Sequence, residues 1–273
     1  MSSIDSAAIL DALDPASASR MARIDVFPEI ESTNAYLMKE PAPDEGKHRV
    51  AIAGHQTAGR GRGDKRWLSA PGSSLCLSIA HTFRKRPDNL SALTLGIGVA
   101  AVEALRDTGV DDVMLKWPND IVALDGKLGG MLAETHCASP TNASVVVGIG
   151  INLELSQEIL ESVDSGWAHA PVDLKSILGR AVSLEPLSAA MIDHIADALL
   201  TFGERGLQAF AETWSERDWL RGRNITVQQP GGSVRGTAFG IDGDGALLVR
   251  AAATTTRIIS GSILVEGVGS PVS

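Results

Sequence analysis

Apolar residues recur along the chain with two different spacings, and the helical spacing predicts two long helical segments. Leu, Ile and Ala repeat at three- and four-residue steps over Asn89–Thr108 and again over Leu187–Asp218, where "TFGERG" is the expected interruption. A shorter helix begins at "STN", where Ser32 or Thr33 suits the N-cap position, and continues to about Glu40.

Compact runs rich in Val, Leu and Ile predict strands between these helices. The runs are Arg23–Pro28, Val50–Gln56, Ser73–Phe83, "VMLKWPND", "KLGGMLAETH" and "ASVVVGIGINLE". The last three are apolar enough to be central strands of a sheet. Residues 1–20 fit either a short amphipathic helix or a frayed terminus.

The pattern of apolar residues changes after Arg221, where short β segments follow one another without helical spacing. These segments, "NITVQQ", "VRGTAFGI", "GALLVRA" and "TRIISGSILVE", are separated by "PGG" and "DGDG" turns. The change predicts two domains, residues 1–221 and 222–273, of which the second is a small β-barrel or sheet.

Composition narrows the classes of function. The 273 residues carry a formal net charge of −9, which argues against broad electrostatic binding to nucleic acid. Cys76 and Cys137 lie among apolar neighbours and resemble neither a disulfide framework nor a zinc site, so we expect reduced, structural thiols. Without an apolar run of about 18 residues or a basic leader, the chain is expected to be soluble, cytoplasmic and not membrane-bound.

Against this acidic background, the stretch "GHQTAGRGRGDKRWLS" concentrates positive charge on a glycine-rich loop. Arg60, Arg62, Lys65 and Arg66 fall within seven residues. Glycine allows a close approach of backbone to ligand, and arginine forks suit phosphate or carboxylate. The loop lacks the spacing of a dinucleotide or phosphate-binding motif. It therefore indicates either a solvated turn or a site for a small anion.

Four other motifs have both a structural and a functional interpretation. In "KWPND", Pro118 ends a strand, and Asn119 and Asp120 either stabilise a turn or orient a ligand or Mg²⁺. Lys127 is a surface charge or a ligand contact, "GIGIN" a packing motif or a pocket floor, and "ESTN" a helix cap or a binding segment.

Five motifs, taken in order, resemble the catalytic domain of the biotin–protein ligases, also called biotin–[acetyl-CoA-carboxylase] ligases. The motifs are "ESTN", "QTAGRGRG…W", "KWPND", "GKLGGMLAE" and "GIGIN". The resemblance runs from about Ile24 to Leu220, and "GALLV" matches the family's C-terminal domain more loosely. It implies an α+β fold, with a mixed central β-sheet flanked by helices, like the class II aminoacyl-tRNA synthetases. A small C-terminal SH3-like β-barrel would follow.

The resemblance also implies an activity. Such enzymes use ATP and Mg²⁺ to convert biotin to biotinyl-5′-AMP, then transfer biotin to a lysine of a biotin carboxyl carrier protein, here most directly that of acetyl-CoA carboxylase. A monomer and a homodimer are both compatible with it. Two alternatives are a lipoate–protein ligase of the same superfamily and a biotin- or nucleotide-binding regulator without turnover.

Roles for individual residues follow from the same resemblance. Catalysis would involve Lys127, Arg60 and Arg62. The biotin site would comprise Ser32, Thr33, Asn34, Gln56, Gly59, Arg60, Gly61, Arg62, Lys127, Gly148 and Gly150, the last two as a flat wall. The ATP and adenylate site would comprise Arg62, Lys65, Trp67, Lys116, Asn119, Asp120, Lys127 and Asn152. Trp67 would stack near adenine, and Asp120 would contact Mg²⁺.

Two departures from the family pattern bear on these expectations. Asp64 and Lys65 replace a glycine and an arginine of the pattern, so the third basic contact of the loop is Lys65 or Arg66. Only about 23 residues precede the first predicted strand, too few for the winged helix-turn-helix domain that some members carry. We therefore expect no DNA-binding role.

Overall fold

A mixed seven-stranded sheet organises the larger part of the molecule. The computed structural model describes residues 4–63, 65–139, 141–162, 171–252 and 254–266. Its strands are β1 (Met21–Phe27), β2 (His48–Ala53), β3 (Ser74–Phe83), β4 (Val113–Lys116), β5 (Asp120–Ala123), β6 (Gly126–Ala138) and β7 (Ala143–Asn152). Their spatial order is β1-β2-β3-β7-β6-β5-β4, and only the β1–β2 pair is parallel. The predicted mixed α+β architecture is confirmed.

Helices cover this sheet and bury their apolar sides. They are α1 (Ser6–Ala12), α2 (Pro15–Ala18), α3 (Thr33–Lys39), α4 (Leu93–Asp107), α5 (Gln157–Ser162), α6 (Leu174–Leu178), α7 (Leu184–Arg205) and α8 (Ala211–Arg217), with short 3₁₀ segments at Leu90–Ala92 and Gly206–Phe210. Helices α4 and α7 pack together, and α4 is buried along most of its length. No helix in the described ranges has the length and apolar content needed to span a bilayer.

Several predicted boundaries need correction. "VMLKWPND" is two strands rather than one, because a turn containing the cis Trp117–Pro118 peptide separates β4 from β5. Strand β4 lies at the sheet edge and is not central. Helix α7 continues through most of "TFGERG" and ends only at Gly206, whose φ of 62° favours glycine. Ile9 on α1 is fully buried, so the described part of residues 1–20 fits the helical alternative and not a frayed terminus.

The last β segments form a separate antiparallel sheet. Its strands are β8 (Asn224–Gln229), β9 (Gly232–Ile241), β10 (Leu247–Ala251), β11 (Thr254–Ile258) and β12 (Ser262–Val265), in the order β11-β10-β9-β8-β12. "TRIISGSILVE" thus supplies two strands. Trp117 Nε1 donates to Gly245 O at 3.0 Å, which ties the turn between β9 and β10 to the "KWPND" turn.

The two cysteines are free thiols, as expected for a reduced protein, but only one is a core residue. Cys76 is buried on β3, and burial raises its pKa to about 12, so the thiol is unreactive. Cys137 is exposed near the end of β6, so the expectation that both are structural holds only for Cys76.

The β9–β10 turn leads to a stability prediction. Gly245 has φ of 83°, and a Cβ there would lie 2.7 Å from Leu95 Cδ1 and 3.0 Å from Ala92 Cβ. Gly222 has a similar φ of 79° with nothing within 4 Å, so it is a matched control. Gly245→Ala should lower the free energy of unfolding by about 1–3 kcal/mol more than Gly222→Ala, because overpacking adds to backbone strain. Urea unfolding measures both, and equal losses would contradict close packing at this turn.

Candidate active site

One cavity of about 980 Å³ gathers most of the residues predicted from sequence. It opens above β6 and β7 and is bordered by the basic loop, the "KWPND" turn and β12 of the C-terminal sheet. Its volume is at the upper end of the range usual for small-molecule sites. A site of this size has room for more than one ligand.

The basic loop folds back on itself beside this cavity. Arg60 and Arg66 form an antiparallel bridge, and Gly61 N donates to Lys65 O at 2.8 Å. Trp67 N donates to Gly59 O at 3.0 Å, and a Cβ at Gly59 would lie 2.5 Å from Trp67 O. Only glycine therefore fits at position 59 when the loop folds back against Trp67. Asp64 lies outside the described residues.

Two lysines from different strands face one carboxylate in the cavity, and Arg62 lies close enough to be influenced by it. Lys127 Nζ lies 2.6 Å from Asp120 Oδ1, and Lys116 Nζ lies 4.0 Å from Asp120 Oδ2. Arg62 Cζ lies 5.9 Å from the Trp117 ring centroid, and the pKa of Arg62 is lowered by burial and raised by Asp120. A concentration of cationic side chains of this kind suits a phosphate or carboxylate ligand.

Lys116 is the most buried member of this cluster. Burial is the main reason that its pKa falls from 10.5 to about 8. Asp120 opposes the fall, whereas Lys127 and Lys65 add to it. A bound anion would restore the proton, so Lys116 responds to the charge of its ligand.

Neutral polar side chains form a second, hydrogen-bonded region of the cavity. Gln56 Oε1 accepts from Thr33 N at 2.7 Å and from Thr33 Oγ1 at 3.0 Å. Ser78 Oγ lies 2.7 Å from Thr33 Oγ1 and donates to Asn34 Oδ1 at 2.6 Å. Ser32 lines the cavity and also caps α3, with its Oγ accepting from Ala35 N at 3.3 Å. The cap and binding interpretations of "ESTN" are thus compatible.

The two glycines predicted to form a cavity wall make room for side chains of the protein itself. The Cβ position of Gly148 is occupied by the Asn34 amide, and that of Gly150 lies 2.5 Å from the Trp67 ring. The expected flat wall is therefore formed by Asn34 and Trp67 packed onto β7, rather than by bare glycine backbone. Lys127 Nζ lies 5.9 Å from the Trp67 ring centroid, so the indole is also close to the cation cluster.

Two residues predicted to contact the nucleotide, Asn119 and Asn152, line the cavity and also hold the protein backbone. Asn119 Nδ2 donates to Met131 O at 2.6 Å and holds the "KWPND" turn against β6. Asn152 Nδ2 donates to Lys127 O at 3.1 Å and to Val172 O at 3.0 Å. Asn152 therefore positions the backbone of Lys127.

Asp120 does not fit the predicted role of Mg²⁺ ligand. Both of its oxygens face ammonium groups, and the described part of the chain has no cluster of three side chains suited to a metal. An ammonium at 2.6 Å occupies the space that a cation would need. The carboxylate instead fixes the two lysines.

Several residues in the cavity or bonded to its lining were not predicted from the sequence. Ser78 and Glu134 join the hydrogen-bond network, and the C-terminal domain contributes part of the cavity lining. The lining from that domain comprises Gln228, Pro230, Ser260, Gly261, Ser262, Ile263 and Leu264. Ser78 stands within an apolar strand without a motif, whereas Glu134 ends the motif "GKLGGMLAE", which could have drawn attention to it.

Comparisons with known proteins agree with this architecture. The family model described as "Biotin/lipoate A/B protein ligase family" matches residues 26–152, and "Biotin protein ligase C terminal domain" matches residues 221–265. The bifunctional ligase/repressor BirA of Escherichia coli (strain K12) is 33% identical over 224 residues, which cover 82% of this chain and 68% of that protein. The chain belongs to the biotin protein ligase family.

The match to two other proteins covers nearly their whole length. The biotin--[acetyl-CoA-carboxylase] ligase of Paracoccus denitrificans is 28% identical, covering 87% of this chain and 98% of that protein. The biotin protein ligase from Aquifex aeolicus in complex with biotin and ATP superposes with a TM-score of 0.75 at 24% identity, covering 90% of this chain and 99% of that chain. The latter likeness supports the fold.

The lowered pKa of Lys116 predicts a pH effect on anion binding by the ligase. As pH rises through about 8, Lys116 of the unliganded protein loses its proton, whereas ATP phosphates are already ionised. ATP affinity should therefore fall about tenfold between pH 7 and pH 9.5. This factor corresponds to the loss of one charged hydrogen bond, worth about 1.5 kcal/mol.

Lys116→Arg is the control, because a guanidinium keeps its charge over this range. Calorimetric titration with ATP at both pH values should show a smaller loss for Lys116→Arg than for the unsubstituted protein. Parallel losses in the two proteins would exclude Lys116 as the titrating group.

Proposed function

We propose that this ligase activates biotin as biotinyl-5′-AMP and transfers the biotinyl group to the acceptor lysine of a biotin carboxyl carrier protein. The proposal rests on one observation: the same cavity contains a neutral polar region, here called the seat, and a cation cluster. The seat contains Thr33, Asn34 and Ser78, and the cluster contains Lys116 and Lys127 around Asp120. Biotin has a neutral ureido ring at one end and a carboxylate at the other, which matches this division.

In the first step, a carboxylate oxygen of biotin attacks the α-phosphorus of ATP. A new P–O bond forms, the bond from the α-phosphorus to the bridging oxygen breaks, and pyrophosphate leaves with that electron pair. Two anions must come together, which costs several kcal/mol in a poorly solvated site. Arg62, Lys116 and Lys127 would offset this repulsion, because preorganised cations stabilise the charge that develops at phosphorus.

In the second step, the neutral amine of the acceptor lysine attacks the acyl carbon of the adenylate. A C–N bond forms, the C–O bond to AMP breaks, and the amine loses a proton to solvent. Lys127 would stabilise the departing phosphate. Trp67 offers a ring near the cation cluster, against which adenine would stack.

ATP would bring Mg²⁺ bound to its phosphates, which is how this ion usually enters nucleotide sites. This arrangement fits a cavity in which Asp120 is already paired with lysines. The carrier of acetyl-CoA carboxylase is the proposed acceptor because a relative at 98% coverage bears that name. We place the reaction in the cytoplasm and propose no nucleic-acid partner.

A direct assay tests this proposal. The protein is mixed with ATP and a biotin carboxyl carrier domain, with either biotin or lipoate added, and the carrier is weighed by mass spectrometry. We expect a mass gain on the acceptor lysine with biotin alone. A gain with lipoate alone would reassign the substrate, and biotin binding without any gain would indicate a regulator.

The cation cluster predicts a larger effect of Arg62 on chemistry than on folding. Arg62→Ala should raise the barrier to adenylate formation by about 2–4 kcal/mol, the usual cost of losing one preorganised donor. Arg205→Ala, at the exposed end of α7, is the control. Pyrophosphate release measures the rate, and an unchanged rate for Arg62→Ala would contradict the role given to the cluster.

A further inference from the structure

Arg60 differs from its neighbour Arg62 because its charge is already compensated. Its Nη2 lies 2.8 Å from Glu134 Oε1, and its Nη1 donates to Glu134 Oε2 at 3.1 Å. This two-point contact joins the basic loop to β6. An anion in the cavity would therefore meet little net charge from Arg60.

Glu134 is the anchored member of the pair. Its side chain is 19% exposed and projects from β6, whereas that of Arg60 is 49% exposed on a loop. Bidentate arginine–carboxylate pairs combine energy with fixed geometry. The contact thus holds a loop segment against a rigid strand.

The same carboxylate also orients the polar seat. Glu134 Oε2 accepts from Asn34 Nδ2 at 3.0 Å, and Leu132 O accepts from that nitrogen at 3.3 Å. Both amide hydrogens of Asn34 then point toward β6. Asn34 Oδ1, which accepts from Ser78 Oγ, keeps a second lone pair for a ligand N–H.

We propose that Glu134 is a positioning residue that fastens the basic loop through Arg60 and sets the direction of the Asn34 amide. Arg60 then serves loop closure, and the charge for the reaction comes from Arg62 and the two lysines. Glu134 thereby connects two parts of the site, because it contacts both Asn34 in the seat for the biotin ring and Arg60 in the loop beside the biotin carboxylate. This assignment of roles rests on the proposed function, whereas the fastening itself does not.

Limited trypsin digestion tests the fastening without any ligand. Lys65 and Arg66 are exposed cleavage sites on the same loop, and both remain when Arg60 is replaced. Glu134→Gln and Arg60→Gln should each raise the cleavage rate at these sites about three- to tenfold. The double variant should match the single variants, because each change removes the same contact.

Steady-state kinetics test the consequence for the ligase. Glu134→Gln should raise KM for biotin about three- to tenfold and leave kcat and KM for ATP within about twofold. Glu103→Gln is the matched control, because Glu103 pairs with Arg106 on the exposed side of α4. A residue needed only for folding would instead lower the melting temperature and affect both substrates.

The outcomes separate the inference from the proposed function. Unchanged cleavage in Glu134→Gln, or single effects that multiply in the double variant, would overturn the fastening. Should Glu134→Gln fail to fold, Arg60→Gln answers the same question from the exposed loop. If the unsubstituted protein transfers no biotin but the cleavage differences persist, the proposed function fails while the fastening stands.

Discussion

The site depends on keeping several cations close together inside an acidic protein. Mutual repulsion and burial both disfavour such a group, and the pKa of Lys116, lowered to about 8, records that cost. Asp120 makes the arrangement tolerable by facing Lys116 and Lys127 at once. Positive charge is therefore concentrated around this carboxylate, which favours an anionic ligand. The affinity for anions that we propose for the cavity rests on this concentration of positive charge.

Sheet register places these groups side by side. Lys116 ends β4 and pairs with Asp120 at the start of β5, while Lys127 begins β6 next to the same hairpin. Asn152 on β7 holds the backbone of Lys127 in place. The cluster is therefore supported by four strands, and only Arg62 belongs to a loop. Glycine at Gly148 and Gly150 lets Asn34 and Trp67 lie flat on the same sheet.

Sequence reasoning worked where a local pattern had a local cause. The cap at Ser32, the strands at Val50 and Ser74, and the end of a strand before Pro118 all depend on near neighbours. It failed where distant segments decide. The edge position of β4 depends on the order of the whole sheet, and the pairing of Arg60 with Glu134 joins residues 74 positions apart. Ordered motifs indicated the family, but not which arginine carries uncompensated charge.

The central claim is that Arg62, Lys116 and Lys127 together hold the phosphate of the activated intermediate. A crystal structure with a non-hydrolysable biotinyl-5′-AMP analogue tests this claim most directly. We expect the phosphate oxygens within hydrogen-bonding distance of at least two of these cations, with the biotin ring against Asn34. A phosphate bound elsewhere, with these three side chains directed at bulk solvent, would contradict the account.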